Sequence, residues 1–175
     1  MIKYFIVFIY IYLFFGCTNN KNIKKEISAL FIIKMKNLKF VDQGFLYFFK
    51  REILAEIYSA GKSTFKLHIF KKKICMGNFK CIKPSIFNKK FLDKEYPNHI
   101  LENIFRSNPI FKKKNIKFDN KYFVQNIKNE KFNITYSVNK DGVKFKDKLN
   151  SIKIYIKNIN WNIIYNNIKI CFLSL

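Results

Sequence analysis

Ile53-Leu-Ala-Glu-Ile57, Ala60-Gly-Lys-Ser63 and Phe65-Lys-Leu-His-Ile69 together decide the fold. Ile53, Ala55 and Ile57 recur at every second position. Phe65, Leu67 and Ile69 do the same, with Lys66 and His68 on the other face. A period of two is the signature of a half-buried strand, and Gly61-Lys62-Ser63 between the runs reads as a turn. The stretch therefore predicts two antiparallel strands joined at Ala60-Gly61, inside a β region spanning 45–74.

Toward the C-terminus the period changes and then returns. Ile86, Phe87, Phe91 and Leu92 have helical spacing, as do Ile100, Leu101, Ile104 and Phe105. Pro97 fits a first helical turn, and Asn108-Pro109 stops the second helix. From 110 onward strands are expected at Ile116–Phe118, Tyr122–Val124, Phe132–Val138 and around Ile152, Ile154 and Ile156. Turns are expected at Asp119-Asn120 and Asn139–Gly142. The run 161–174 reads as one more apolar strand. Toward the N-terminus, 23–43 stays open: Ile23, Ile27, Leu30 and Phe31 suit a helix, while Phe31-Ile-Ile33 suits a strand. The predicted class is α+β, a curved antiparallel sheet, half-open and barrel-like, with short helices on one side.

The first residues have a different purpose. Met1-Ile-Lys3 is a short positive start, and Tyr4–Phe15 is an unbroken apolar run. A spanning helix needs about 20 such residues, so the run is too short to be one and fits the apolar region of a signal peptide. Leu13-Phe-Phe-Gly-Cys17 resembles a lipobox, which implies cleavage before Cys17 and lipidation of its thiol. Signal peptide 1–16, polar tether 17–22 and a single domain 23–175 are the expected organisation. Several acyl chains on one N-terminus, each CH₂ contributing about 0.8 kcal/mol, anchor a protein stably. Thr18, not Asp, follows the cysteine. The expected place is the cell envelope, periplasm-facing, at the outer membrane in preference to the inner.

The net charge of +23 invites a nucleic-acid partner. Only Arg51 and Arg106 are arginines, however, and arginine is the residue suited to bidentate phosphate and base contacts. Lys, Asn, Ile, Phe and Tyr are abundant together, as AT-rich codons produce. An exported chain does not meet the chromosome, so no nucleic-acid partner is expected; a solvated lysine coat is the plain reading of the charge, and contact with anionic lipid headgroups is the alternative. A hydrophobic content of 49% argues against disorder.

Chemistry-bearing residues are few. Cys75 and Cys81 enclose a short loop around Gly77-Asn78 and read as a disulfide in an oxidising compartment. Free thiols or a redox pair are the alternatives; the spacing is not Cys-x-x-Cys, and His68 is the only nearby further zinc ligand. Cys171 reads as a small apolar residue. His68 and His99 lie in no triad or metal-ligand spacing. Asp93 and Glu95 are close but sit among lysines. Lys62-Ser63 lacks the glycines of a phosphate loop. No catalytic residue, metal or cofactor is expected. The cluster Phe45, Tyr47, Phe48 and Phe49 leaves two readings: a filled aromatic core, or a curved sheet lining an apolar cavity.

Two resemblances bear on this choice. Lys73-Ile-Cys-Met-Gly-Asn-Phe-Lys-Cys81, Phe87-Asn-Lys-Lys-Phe-Leu92, Tyr96-Pro97, Ile100-Leu-Glu-Asn-Ile-Phe105 and Pro109-Ile-Phe111 look like lipoproteins of Campylobacter- and Helicobacter-type bacteria, a family that brings no activity with it. Leu101-Glu-Asn-Ile104, Phe132-Asn-Ile-Thr-Tyr136 and Ile152-Lys-Ile-Tyr-Ile156 running into Asn160-Trp161 resemble, in order, the outer-membrane lipoprotein receptor of the lipoprotein-sorting pathway (LolB). That resemblance implies a half-open β-barrel whose helical lids admit acyl chains. Ile100, Leu101, Ile104 and Phe105 are then the lid residues, and an acyl chain or a lipoprotein is the ligand. The other class is a non-enzymatic structural or interaction lipoprotein with a solid core.

Overall fold

The computed structural model describes residues 23–77 and 80–159. Cys17, Cys171 and the strand expected at 161–174 lie outside the described residues. The described chain folds as one antiparallel sheet of 11 strands in the order β6-β5-β4-β3-β2-β1-β11-β10-β9-β8-β7. The first seven elements are β1 (Lys25–Met35), β2 (Leu38–Phe48), β3 (Glu52–Ser59), β4 (Lys62–Phe70), β5 (Ile74–Met76), β6 (Lys80–Ile82) and the helix α1 (Pro84–Phe91). Next come α2 (Ile100–Phe105), β7 (Ile116–Asp119), β8 (Tyr122–Lys128), β9 (Asn133–Asn139), β10 (Gly142–Asp147) and β11 (Ile152–Asn158). The two helices are short, so the class is mainly β, and α+β describes it only loosely.

β1 and β11 pair with each other in the middle of the sheet, from Ala29↔Asn158 to Lys34↔Lys153. Each half of the chain then builds outward by hairpins. β6 and β7 are left as edges, so the sheet is open. It is also strongly curled. α2 touches both β4 and β10, which lie five strand steps apart. In a flat sheet that would be about 24 Å, far more than one helix covers. The sheet must wrap around the helix, and two glycines allow it. A Cβ at Gly44 would stand 2.1 Å from the Glu56 carbonyl oxygen, and one at Gly142 2.0 Å from that of Ile156.

Alternation puts Phe31, Ile33, Ile53, Ile57, Leu67, Ile69, Tyr136, Phe145 and Ile154 on the inner face. All are fully buried, together with Phe87, Leu92, Leu101, Ile104 and Phe105 from the helical segment. Burial of each such side chain contributes about 1.5–3 kcal/mol.

The open reading of 23–43 resolves as strand: the segment holds β1 and the start of β2. Elsewhere the structure corrects the expectation. Pro97 is not in a helix: its carbonyl accepts from Ile100 N, where α2 starts. The proline in a first helical turn is Pro84 of α1. β10 was not expected as a strand, yet it pairs with β9 and β11 along its length.

One segment has unusual backbone. Phe111, Lys112, Lys113 and Asn115 all have positive φ, a left-handed turn that costs free energy at each non-glycine residue. Buried Gln125 holds it. Its Oε1 accepts from Ile110 N at 2.8 Å, and its Nε2 donates to the carbonyls of Ile110 and Lys114 at 3.0 and 2.9 Å.

Candidate functional site

The curl leaves a cleft of about 260 Å³ at the end of the sheet where β1 begins. Its wall is Ile27 from β1, Leu46 and Phe48 from β2, Phe105 from α2, Val143 from β10 and Ile156 from β11. Leu46, Phe105, Val143 and Ile156 are buried, while Ile27 and Phe48 are half-buried. The rim is polar and basic: Ser107, Tyr122, Asn139 and Asn158 line it together with Lys25, Lys121 and Lys140, and no acidic residue does. The Lys25 ammonium lies 5.9 Å from the centre of the Phe48 ring, and that of Lys121 lies 5.5 Å from Tyr122. Of the expected lid residues only Phe105 reaches this cleft. Ile100, Leu101 and Ile104 are at most 1% exposed and fill the core between α2 and the sheet. A second hollow, about 400 Å³, lies around Ile32, Lys144, Tyr155 and Lys157. It has no helical wall, and Lys144 and Lys153 already cover the Tyr155 ring at 6.0 and 4.4 Å.

Cys75 and Cys81 stand directly opposite each other across β5 and β6 and are joined as a disulfide. The bond closes the outermost hairpin of one edge, far in the strand order from the cleft. His68 faces Cys75 from β4, but its Nδ1 meets the Glu52 carboxylate at 2.5 Å. His99 lies 3.6 Å from Glu102. Asp93 pairs with Lys36 at 3.7 Å and Glu95 with Lys131 at 2.9 Å, so each carboxylate is engaged with a lysine elsewhere in the chain. Glu56, on the outer face, pairs with Lys66 at 2.8 Å. Burial raises its carboxyl pKa, but hydrogen bonds from Lys66 and Ser63 outweigh this and leave it below the usual range. Among the described residues no group of three or more His, Cys, Asp or Glu is placed to hold a metal ion.

A polar cluster that the sequence did not announce lies in the core. Asp147 is 1% exposed. Its Oδ2 accepts from Tyr96 Oη at 2.6 Å and from Asn150 Nδ2 at 2.8 Å. Its Oδ1 accepts from the backbone N–H groups of Asn133 and Leu149, each at 3.0 Å. Burial raises the Asp147 pKa, but the hydrogen bonds from Tyr96, Asn150 and Asn133 more than offset it, and the net shift is downward. The Tyr96 phenol is pushed up, first by burial and then by the hydrogen bond to Asp147, so it remains a donor. With every acceptor position filled from within, the cluster ties the loop before α2 to the β10–β11 turn. Its role is structural.

Compared with protein-family models, curated proteins and solved structures, the chain matches none of them.

Proposed function

We propose that this protein is a lipid-anchored lipoprotein of the bacterial envelope that holds one acyl chain in the cleft beside Phe105, without catalysing a reaction. The observation that carries the reading is the cleft wall: six apolar side chains from one helix and four strands of a curled, open sheet. That arrangement suits the half-open barrel with helical cover implied by the LolB-like order of the C-terminal half. The volume lies just below the range of about 300–1,000 Å³ for small-molecule sites, which suits part of one chain better than a whole lipidated N-terminus.

The anchor strengthens the case. β1 starts at Lys25 on the cleft rim, eight residues after Cys17. Eight extended residues reach about 28 Å, so a lipid on Cys17 keeps the mouth near the bilayer. The expected setting is the periplasmic side of the outer membrane. In cells fed a clickable palmitate analogue, the wild type is expected to be labelled and Cys17→Ser to lose all label. Label that persists in the variant removes the anchor from this reading.

Binding is tested on full-length protein in a nonionic amphipol, using hexadecanol bearing a photoreactive diazirine. Cross-links are expected on peptides containing Ile27, Phe48 and Phe105, and excess hexadecanol should suppress them. Ile27→Trp, at a half-buried position on the wall, should abolish them while leaving the circular dichroism spectrum unchanged. Scattered cross-links that excess ligand does not suppress favour the second reading, a structural or interaction lipoprotein. The observation behind that alternative is the filled core around Ile100, Leu101 and Ile104.

A further inference from the structure

We infer that the cleft selects a single-chain amphiphile with an anionic head, namely a long-chain fatty acid bound as its carboxylate. The inference rests on the acyl-binding reading above and adds the chemistry of the head group. Apolar walls alone would take an alcohol, an amine or an ester equally well. The rim breaks that symmetry. Lys25 comes from the start of β1, Lys121 from the β7–β8 turn and Lys140 from the β9–β10 turn. Three segments distant in sequence thus bring ammonium groups to one mouth, and no carboxylate lines it. Among the described residues none of the three has an ion-pair partner. Three ammonium groups disfavour a cationic head there, and a carboxylate would find three charged donors.

The depth order fits an amphiphile as well. Leu46, Phe105, Val143 and Ile156 are at most 5% exposed, while Lys25, Lys121 and Lys140 are exposed. A chain inserted tail-first would therefore leave its head at the lysines. Each exposed ion pair is weak, so three together give about a tenfold preference for the acid over the alcohol. Because these charges face solvent, added salt should erode that preference.

The test is competition against the diazirine probe, on full-length protein in nonionic amphipol at pH 8. Hexadecanoic acid is expected to displace the probe at about one-tenth the concentration of hexadecanol, and hexadecyltrimethylammonium to be the weakest competitor. Combining Lys25→Gln, Lys121→Gln and Lys140→Gln should bring acid and alcohol level while leaving displacement by the alcohol intact. Combining Lys62→Gln, Lys71→Gln and Lys72→Gln removes the same charge from exposed lysines that do not line the cleft, and should keep the preference. Equal competition by acid and alcohol in the wild type overturns the inference and leaves the acyl-binding reading standing. Loss of the preference in both triple variants also overturns it, because net charge alone would then be the cause. No displacement by any of the three, with a dimer in native mass spectra, overturns both readings and gives the cleft to a second copy of the chain.

Discussion

Asp147→Ala is expected to lower stability by about 3–5 kcal/mol, measured by urea unfolding of the full-length protein in nonionic amphipol with far-ultraviolet circular dichroism as the readout. The reason is what the substitution leaves behind. Tyr96 Oη, Asn150 Nδ2 and the backbone N–H groups of Asn133 and Leu149 all lose their acceptor at once. Tyr96 itself is 4% exposed, so its hydroxyl is out of reach of bulk water in the folded protein. Each buried donor left unpaired costs about 1–3 kcal/mol. Asp147→Asn keeps the shape and one acceptor oxygen, so it should cost less. The carboxylate also links stability to pH. Its folded pKa is lowered, so its contribution is present above the unfolded-state pKa of about 3.9 and is lost as pH falls through the folded value. The wild type should therefore lose stability below about pH 4, while the difference from Asp147→Asn shrinks over the same interval. A loss under 1 kcal/mol in Asp147→Ala, or acid limbs that run parallel in wild type and Asp147→Asn, would show that the cluster does not hold the loop.

How far the sequence revealed this depends on the element. β3, β4 and β11 were legible because their apolar residues alternate, and burial on one face enforces that period. The helices were legible from Phe87, Phe91, Ile100 and Ile104. β1 was ambiguous for a physical reason. It sits in the middle of the sheet, and Leu30 and Ile32 on its outer face are apolar too, so the run satisfies both periods. β10 was hidden because only Val143 and Phe145 are apolar on its inner face, with Lys144 between them and Lys146 and an acid after them. Its strand character comes from neighbours: Phe145 stands between Tyr136 and Ile154. Asp147 lies among Lys144, Lys146 and Lys148 with no local sign of burial, and its phenol partner is 51 residues away. The cleft was unreadable for the same reason. Its wall and rim draw on β1, β2, α2, β8, β10 and β11, which come together through the β1–β11 pairing and the packing of α2 across the curled sheet. The local pattern could name Phe105 as apolar and helical, but not as a residue that lines the cleft.

Gly142 stands where that pairing and the cleft meet, and Gly142→Ala is expected to cost about 2–4 kcal/mol and to abolish cross-linking by the diazirine probe. Two effects add. The residue has φ +127°, which an L side chain rarely adopts, and the new Cβ would lie 2.0 Å from the Ile156 carbonyl oxygen. The obstacle is backbone, so no rotamer change relieves it. Either β10 moves away from β11, breaking the Gly142↔Lys157 and Val143↔Ile156 register, or the curl opens. Both movements shift Val143 and Ile156, which form part of the cleft wall. Asp141→Ala in the same turn is the control. Asp141 is exposed, and the contacts its backbone makes, such as accepting from Asn158 N at 2.8 Å, survive the change. It should stay within about 0.5 kcal/mol of wild type and keep full labelling. Unfolding midpoints and probe labelling, measured side by side on the two variants, separate loss of the site from general damage to the turn. If Gly142→Ala matches the control in both, the close approach of β10 to β11 is not what shapes the cleft.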